Sequence, residues 1–305
     1  MCDGSNVAKL IPQSLVTTQH IPIDGCGQKN IRIDVLRLDL IHPVVSGNKY
    51  FKLKYPVAKA LAAAAPGIIS FGGAWSNHLV ALAKYCNDVG MRAIGIVRGE
   101  PGAQPSPTLQ DAVGYGMTLN HIPRSLYNNK AALYNELKAS YPGYVIVAEG
   151  GRSADGVSGA AEIAALTDYL SYDIIMGAVG TGTMLAGLLA ASAAHQQVLG
   201  ISSLKLKPGN DVEAFIGTSV PGKPFNINYD FHFGGYAKHN SELISFMNDC
   251  WTQYALPTDF VYTAKLMYAV KQLLAAGYFA AGSRILVIHS GGLQGNRSLT
   301  GKLLF

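Results

Sequence analysis

Apolar residues along this chain come in short, β-prone runs, and each run stops at glycine. Ile68-Ile69-Ser70-Phe71 leads into Gly72-Gly73, Ala93-Ile94-Gly95-Ile96-Val97 into Arg98-Gly99, and Tyr144-Val145-Ile146-Val147-Ala148 into Glu149-Gly150-Gly151. Further on, Ile174-Ile175-Met176-Gly177-Ala178-Val179 leads into Gly180-Thr181-Gly182, and Ile285-Leu286-Val287-Ile288 into His289-Ser290-Gly291-Gly292. Helical spacing of apolar and polar positions predicts helices over 53–65, 76–87, 106–116, 127–139, 156–170, 183–195 and 263–276. The first of these is stopped by Pro66-Gly67. Residues 10–48 read as one or two strands joined by a turn at Asp24-Gly25-Cys26-Gly27.

Strands alternating with helices predict an α/β architecture with mainly parallel sheets. The strands are near-continuous apolar runs, as expected where helices cover both faces. Ligands in such sheets sit beyond the carboxyl ends of the strands, and every glycine cluster named above falls at such an end. The pattern therefore places one composite site before any chemistry is assigned. Residues 204–239 break it: Pro208, Pro221 and Pro224 lie among Gly, Asn and Lys, which predicts an irregular excursion over the site, ending at Phe233-Gly234-Gly235-Tyr236. So many strands suggest two sheets, although composition does not show where to cut the chain.

Composition narrows the classes of function. The chain has 305 residues and 34 glycines without a collagen period, which fits many tight strand-to-helix turns. Its net charge of +5 is scattered. The densest cluster, Lys49, Lys52 and Lys54, is too short to be a nucleic-acid footprint, and an anionic small molecule suits it better. Cys2, Cys26, Cys86 and Cys250 form no Cys-x-x-Cys pair and have no metal-like His spacing, so reduced thiols and no metal site are expected. No apolar run approaches the roughly 18 residues of a membrane span, and no secretory apolar core follows the first residues. A cytoplasmic protein without membrane or nucleic-acid partners is expected.

Several segments could carry chemistry. In Ser46-Gly47-Asn48-Lys49, a lysine follows a strand-like run and a glycine turn. If the turn holds and partly dries the amine, desolvation disfavours the ammonium and makes it a nucleophile toward a carbonyl. Lys49 is thus a candidate to carry an aldehyde cofactor as a Schiff base, against the ordinary alternative of a solvated turn lysine. Gly180-Thr181-Gly182-Thr183 follows a strand and opens an apolar helix, the arrangement in which backbone amides, hydroxyls and the helix dipole cradle a phosphate. No lysine follows the glycines, so it is not a P-loop; close strand–helix packing is the competing explanation. Ser76 and Asn77 stand where a helix N-cap belongs. The same helix end could bind a substrate carboxylate, with Asn77 available to a phenolic oxygen, Ser76 facing the reacting carbon and His78 as a supporting donor. Tyr262, in Asp259-Phe260-Val261-Tyr262-Thr263-Ala264-Lys265, and Ser290 are each explicable alone as a core ring and a turn residue.

Taken together, Gly-Asn-Lys, Gly-Gly-x-x-Ser-Asn-His, Glu-Gly-Gly, Val-Tyr-Thr-x-Lys and His-Ser-Gly-Gly resemble the fold-type II pyridoxal-phosphate enzymes. The likeness is closest to the D-cysteine desulfhydrase / 1-aminocyclopropane-1-carboxylate deaminase family, and it runs in order over 46–292. The resemblance implies two open, mainly parallel αβα domains of the tryptophan synthase β-like type. A large cofactor-binding domain would come from 1–50 and 160–305, and a small inserted domain from 51–159. The family pattern Gly-Gly-Asn-Lys-x-x-Lys-Leu, here Ser46-Gly47-Asn48-Lys49-Tyr50-Phe51-Lys52-Leu53, makes Lys49 rather than Lys52 or Lys54 the Schiff-base lysine. It further implies that pyridoxal 5'-phosphate is bound by Asn48, Lys49, Asn77, Gly180, Thr181, Gly182, Thr183, Ser290 and Gly291. Lys49, Ser76, Tyr236 and Tyr262 would act on a small amino-acid substrate, in a homodimer.

The deaminase branch of the family carries Glu directly after the tyrosine of Val-Tyr, where a carboxylate keeps the pyridine nitrogen protonated. Thr263 occupies that position here, and Ser290 resembles the hydroxyl residue of the desulfhydrase branch. A hydroxyl holds a proton on pyridine less well than a carboxylate does. The expected activity is therefore β-elimination from a small amino acid such as D-cysteine, with ring-opening deamination of aminocyclopropane carboxylate and non-catalytic cofactor binding as alternatives. Trp75 stands where the family usually has Gln, and Leu79-Val80 replaces a more polar pair; both alter the surroundings of the substrate.

Overall fold

A computed structural model describes residues 15–23, 26, 29–102 and 104–305. Cys2 and most of the turn expected at Asp24-Gly25-Cys26-Gly27 lie outside the described residues. The chain opens with β1 (Thr18–His20) and β2 (Arg32–Arg37), then α1 (Asn48–Ala62), β3 (Gly67–Gly72), α2 (Asn77–Asp88), β4 (Arg92–Arg98), α3 (Pro107–Gly114) and β5 (Met117–Ile122). Next come α4 (Arg124–Asn128), α5 (Lys130–Ser140), β6 (Val145–Ile146), α6 (Ala154–Ala161), β7 (Ile174–Val179), α7 (Thr183–Ala191) and β8 (Gln197–Ser202). The last elements are α8 (Asp211–Ser219), β9 (Asn226–Asn228), α9 (Ser241–Tyr254), α10 (Thr263–Ala275) and β10 (Arg284–His289).

The strands form two sheets, one of six in the order β1-β2-β10-β7-β8-β9 and one of four in the order β5-β4-β3-β6. Apart from the antiparallel β1–β2 pair, every pairing is parallel. All residues of β3 and β7 are buried, which fits sheets covered on both faces. The larger sheet draws β2 from one end of the chain and β10 from the other. Because β10 lies between β2 and β7, with His289 opposite Arg37 and Ile288 opposite Gly177, the loops after these three strands emerge side by side.

Between the sheets, α6 is wedged against α1 and α7. Its small residues allow this: a Cβ on Gly159 would sit 2.0 Å from the Phe51 carbonyl oxygen, and one on Gly187 would sit 2.5 Å from the Ala160 Cβ.

Four expectations need correction. Lys49 does not stand in a turn before a helix starting at 53; it lies in the first turn of α1, which begins at Asn48. Gly47, at φ +64°, turns the chain, and the Asn48 amide, one of the orphan donors of a helix start, donates to the Ser290 carbonyl 3.1 Å away. The stretch 127–139 is two helices, with Asn129 capping the second through the Ala132 amide. The stretch 156–170 is helical in α6 only to Ala161 and continues as separate 3-10 turns. The excursion 204–239 contains α8, capped by Asn210 on the amides of Val212 and Glu213, and the edge strand β9. A β-propensity pattern spoils easily at such an edge, and β5, with Thr118, Asn120 and His121 in it, escaped sequence reading for the same reason.

Gly47 is the tightest point of the design. An added Cβ would lie 1.8 Å from the Ser290 carbonyl oxygen, at a φ that side chains resist. Gly47→Ala is expected to destabilise the protein by about 3 kcal/mol or more, seen as a lower urea midpoint with an unchanged m-value.

Candidate active site

The glycine turns at the carboxyl ends of the strands border a cavity of about 790 Å³. Of the residues singled out from sequence, Asn48, Lys49, Ser76, Asn77, Tyr236 and Tyr262 line it. So do Gly180, Thr181, Gly182 and Ser290. Thr183 and Gly291 stand behind the surface. Thr183 is buried with its Oγ1 3.0 Å from the Thr181 Oγ1, and Gly291 is pressed against Ser46 and Gly47.

Lys49 projects from the first turn of α1 toward Gly292, where a Cβ would come within 3.2 Å of the Lys49 Nζ and 2.7 Å of the Asn77 Nδ2. Gly292 therefore leaves room for both side chains. Enclosure of the Lys49 amine lowers its pKa to about 8, against the opposing field of Asp259. One helical turn on, Lys52 is 7% exposed, and burial followed by the like charge of Lys49 lowers it to about 7. Among the described residues neither amine forms an ion pair. Two adjacent buried amines without a carboxylate are costly, and such a pair suits an anion.

His78, at the start of α2, completes this group. Ser70 Oγ gives its proton to the Val147 carbonyl at 2.8 Å, so the His78 Nε2, 2.9 Å from that oxygen, must be the donor. The His78 Nδ1 then carries the lone pair, and it is buried without a partner. Burial first, then Lys52 and Lys49, push the pKa of His78 down to about 3, so the ring is neutral. Of the expected donor role only the bond to Ser70 is realised; the free ring nitrogen is an acceptor.

The start of α2 is capped as sequence suggested: Ser76 Oγ accepts from the Leu79 amide at 3.2 Å. Asn77 Nδ2 donates to the Gly292 carbonyl at 2.7 Å, which leaves Asn77 Oδ1 buried and unpaired, as is Asn48 Oδ1. At the start of α7, Gly182 adopts φ +83° as N-cap, and the Thr181 and Thr183 hydroxyls face each other. Gly180 lies under the Tyr262 ring, whose Cε1 would be 2.9 Å from an added Cβ.

Tyr262 holds the N-cap position of α10, and its ring lies edge-on to that of Tyr236, with centroids 6.2 Å apart at 66°. Asp259 accepts from the amides of Val261, Tyr262 and Thr263 and from the Thr263 hydroxyl, all within 2.9 Å. Thr263 is thereby tied to Asp259 and does not line the cavity, whereas Ser290 does. Of the two hydroxyl residues considered from sequence, only Ser290 lines the site.

Sequence reasoning missed Lys52, Glu149, Arg98 and Arg152 as cavity residues. Lys52 had a signal, since a charge three residues from Lys49 falls on the same helix face, here the buried one. Glu149 pairs with Lys130 at 3.3 Å, and Arg152 with Asp211 at 2.6 Å. These pairs join segments far apart in the chain and leave no local pattern.

The residues present fit a phosphate-bearing aldehyde cofactor. The start of α7 and Lys52 offer donors and charge for a phosphate, Lys49 offers an amine, and Asn48, Asn77 and His78 present buried polar atoms with unmet bonding capacity. Fold and cavity together define a fold-type II pyridoxal-phosphate enzyme. Residues 28–291 match the family described as pyridoxal-phosphate dependent enzyme, and the chain belongs to that family. It is a PLP-dependent lyase or deaminase. A Pyrococcus abyssi protein provisionally named as a 1-aminocyclopropane-1-carboxylate deaminase is 30% identical over 284 residues, covering 87% of this chain and 86% of that one. An Arabidopsis thaliana protein named bifunctional D-cysteine desulfhydrase/1-aminocyclopropane-1-carboxylate deaminase, mitochondrial, is 28% identical over 306 residues, covering 86% and 72%. A solved structure of an ACC deaminase homologue shares the fold with a TM-score of 0.80 at 23% identity, covering 99% of this chain and 100% of that one.

The two amines give the cavity a pH signature. A lysine attracts an anion while protonated and loses that attraction as pH rises through its pKa. Sulfate keeps its charge over the range concerned, so its affinity for the cofactor-stripped protein should fall as pH rises through 7 and 8. Lys52→Met should weaken binding at low pH about tenfold and flatten the dependence; isothermal titration calorimetry across this range reads both.

Proposed function

We propose that this enzyme catalyses β-elimination from a small amino acid, D-cysteine or a β-substituted relative, releasing the leaving group and ending in pyruvate and ammonia. The observation that carries the choice is that Ser290 lines the cavity, while Thr263, where the deaminase branch has Glu, is bound to Asp259 and does not line it. Pyridoxal phosphate, when bound, supplies an electron sink for the α-carbon. Without a carboxylate to keep its ring protonated that sink is milder, which suits expulsion of a thiolate better than opening of an unactivated cyclopropane.

In this reading Lys49 is the residue to which the cofactor attaches. Its amine, with a pKa near 8, is poised to take the substrate's α-proton and later return a proton. Lys52, Gly180, Thr181 and Gly182 would hold the phosphate, with Thr183 behind the Thr181 hydroxyl, and Ser290 would meet the ring, with Gly291 behind it. Asn48 and Asn77 offer their unpaired oxygens at the cofactor's edge. The start of α2, with Ser76, receives the substrate carboxylate. Tyr236 and Tyr262 flank the substrate and limit access of water. Trp75 is 37% exposed and borders the cavity beside Ser76, so it sets the size of the side chain admitted.

The second reading, ring-opening deamination of aminocyclopropane carboxylate to 2-oxobutyrate, is supported by the names of both relatives quoted above. We also propose the division into a large domain, 1–50 and 160–305, and an inserted small domain, 51–159. The sheet memberships support it, the larger sheet using strands from both chain ends and the smaller one only Gly67–Ile146 segments. A cytoplasmic location is supported by the free, buried Cys26, Cys86 and Cys250. No helix among the described residues is long and apolar enough to cross a membrane. A homodimer rests on the family resemblance alone.

The decisive measurement is oxo-acid release from a panel of D- and L-amino acids together with aminocyclopropane carboxylate. Pyruvate from D-cysteine supports elimination; 2-oxobutyrate from the cyclopropane substrate with no pyruvate from any cysteine would sink it. Borohydride should tether the cofactor to the peptide carrying Lys49, and Lys49→Ala should lower kcat by about 10²–10⁴.

A further inference from the structure

Lys265 is the only lysine of α10's first turn, and its side chain is 0% exposed. Its ammonium is tied to backbone carbonyls alone: Gly235 at 2.7 Å, His232 at 2.9 Å and Ser203 at 3.5 Å. Asp259, which caps the same helix, favours the charged form, while burial pulls the pKa down to about 8. A buried ammonium is a poor device for stability, because an apolar residue of similar volume commonly serves as well or better. A reason for the charge is to be sought in what it holds.

It holds a strained loop. Phe233, Gly234, Gly235 and Ala237 all have positive φ, between 52° and 118°. For Phe233 and Ala237 that region is unfavourable by about 1–3 kcal/mol each, and such backbone persists only where its surroundings over-determine it. Backbone bonds from the Gly235 amide to the His232 carbonyl (3.0 Å) and from the Lys238 amide to the Gly235 carbonyl (3.1 Å) close the turn on itself, and Phe233 and Ala237 pack against the core. The Phe233 ring packs edge-on against Tyr268 of α10 at 4.9 Å, His232 Nδ1 accepts from the Gly234 amide at 2.8 Å, and Lys265 binds the carbonyls on both sides of the turn. Between the clamped Gly235 and the strained Ala237 stands Tyr236, 47% exposed, at the cavity opposite Tyr262. Tyr262 in turn occupies the N-cap position of the helix that carries Lys265. One ammonium thus links the two segments that present the facing tyrosines.

We propose that Lys265 is a positioning residue that latches the 232–237 loop to α10 and so sets Tyr236 against Tyr262 over the cavity. The role rests on the reading that places these tyrosines beside the substrate. Lys265 touches neither cofactor nor substrate; it acts through the loop.

The test compares Lys265→Met, close in volume but unable to bind the carbonyls, with the parent holoenzyme. Amide hydrogen exchange over 232–238 should speed up about tenfold or more, while absorbance of the bound cofactor is unchanged. KM should rise about tenfold, with a smaller fall in kcat. Tyr236→Phe should cost far less in the Met variant than in the parent, because the ring is already displaced. Unchanged exchange over the loop, or an equal cost of Tyr236→Phe in both backgrounds, overturns the proposal. Should Lys265→Met fail to fold, Gly235→Ala attacks the same latch from the other side, since φ +118° resists a side chain. The same exchange and KM signature is expected of it, and its absence likewise overturns the proposal. Exchange does not require turnover: a loosened loop in a protein that releases no oxo-acid keeps the latch and sinks the functional reading alone.

Discussion

The contact on which the site depends is backbone against backbone. Ser46 and Gly47, after β2, press onto Ser290, Gly291 and Gly292, after β10, closely enough that a Cβ on either Gly47 or Gly291 would overlap the other segment. Two hydrogen bonds cross it, from the Asn48 amide to the Ser290 carbonyl and from the Gly292 amide to the Ser46 hydroxyl. The pairing of β2 with β10 in the larger sheet makes the approach possible, and glycine makes it sterically allowed. Through it the start of α1, and with it Lys49, is fixed relative to the other end of the chain. Behind the contact, the buried Asp39 joins Arg37 at the end of β2 to His289 at the end of β10. The two strand ends are thus held by a polar contact as well as by packing.

A second constraint is electrostatic. Lys49, Lys52 and His78 all line the cavity, and among the described residues no carboxylate is within ion-pairing distance of either lysine. Burial lowers the pKa of all three; Lys49 adds to this on Lys52, and both lysines add to it on the histidine. The nearest compensation, Asp259, is itself bound to three amides and a hydroxyl and acts at a distance. An arrangement of this kind is unfavourable for the protein alone and becomes favourable with an anion in place. The need for the cofactor's phosphate is in this sense written into the charges of the cavity wall. The same logic separates Lys49, which lines the cavity, from Lys265, whose charge is spread over carbonyls and serves geometry.

Much of this was legible in the sequence, for identifiable reasons. Apolar runs ending in glycine marked β3, β4, β7 and β10, because strands covered on both faces need apolar residues throughout and parallel strands end in tight turns. The glycine turns also marked the side on which the cavity opens. Of the strands that escaped, β5 and β9 were hidden by polar residues at a sheet edge, β9 inside the stretch read as an excursion; β8, between that stretch and the helix expected over 183–195, was not singled out. Helix starts were misplaced where a tertiary contact decides them, as at Asn48, whose amide is satisfied by a residue 242 positions away (290 − 48).

The sequence alone determined the alternation of elements, the family motifs and hence the candidate lysine, since these depend on local spacing and residue type. Only the tertiary structure decided which of two hydroxyl residues lines the cavity, which nitrogen of His78 is free, that Lys52 belongs to the site and that Lys265 holds the Tyr236 loop. Each of these depends on what lies opposite a side chain in space. The partners are brought there by the β2–β10 pairing, the folded return of 204–239 and the cap of α10, and a linear order of residues does not state such oppositions.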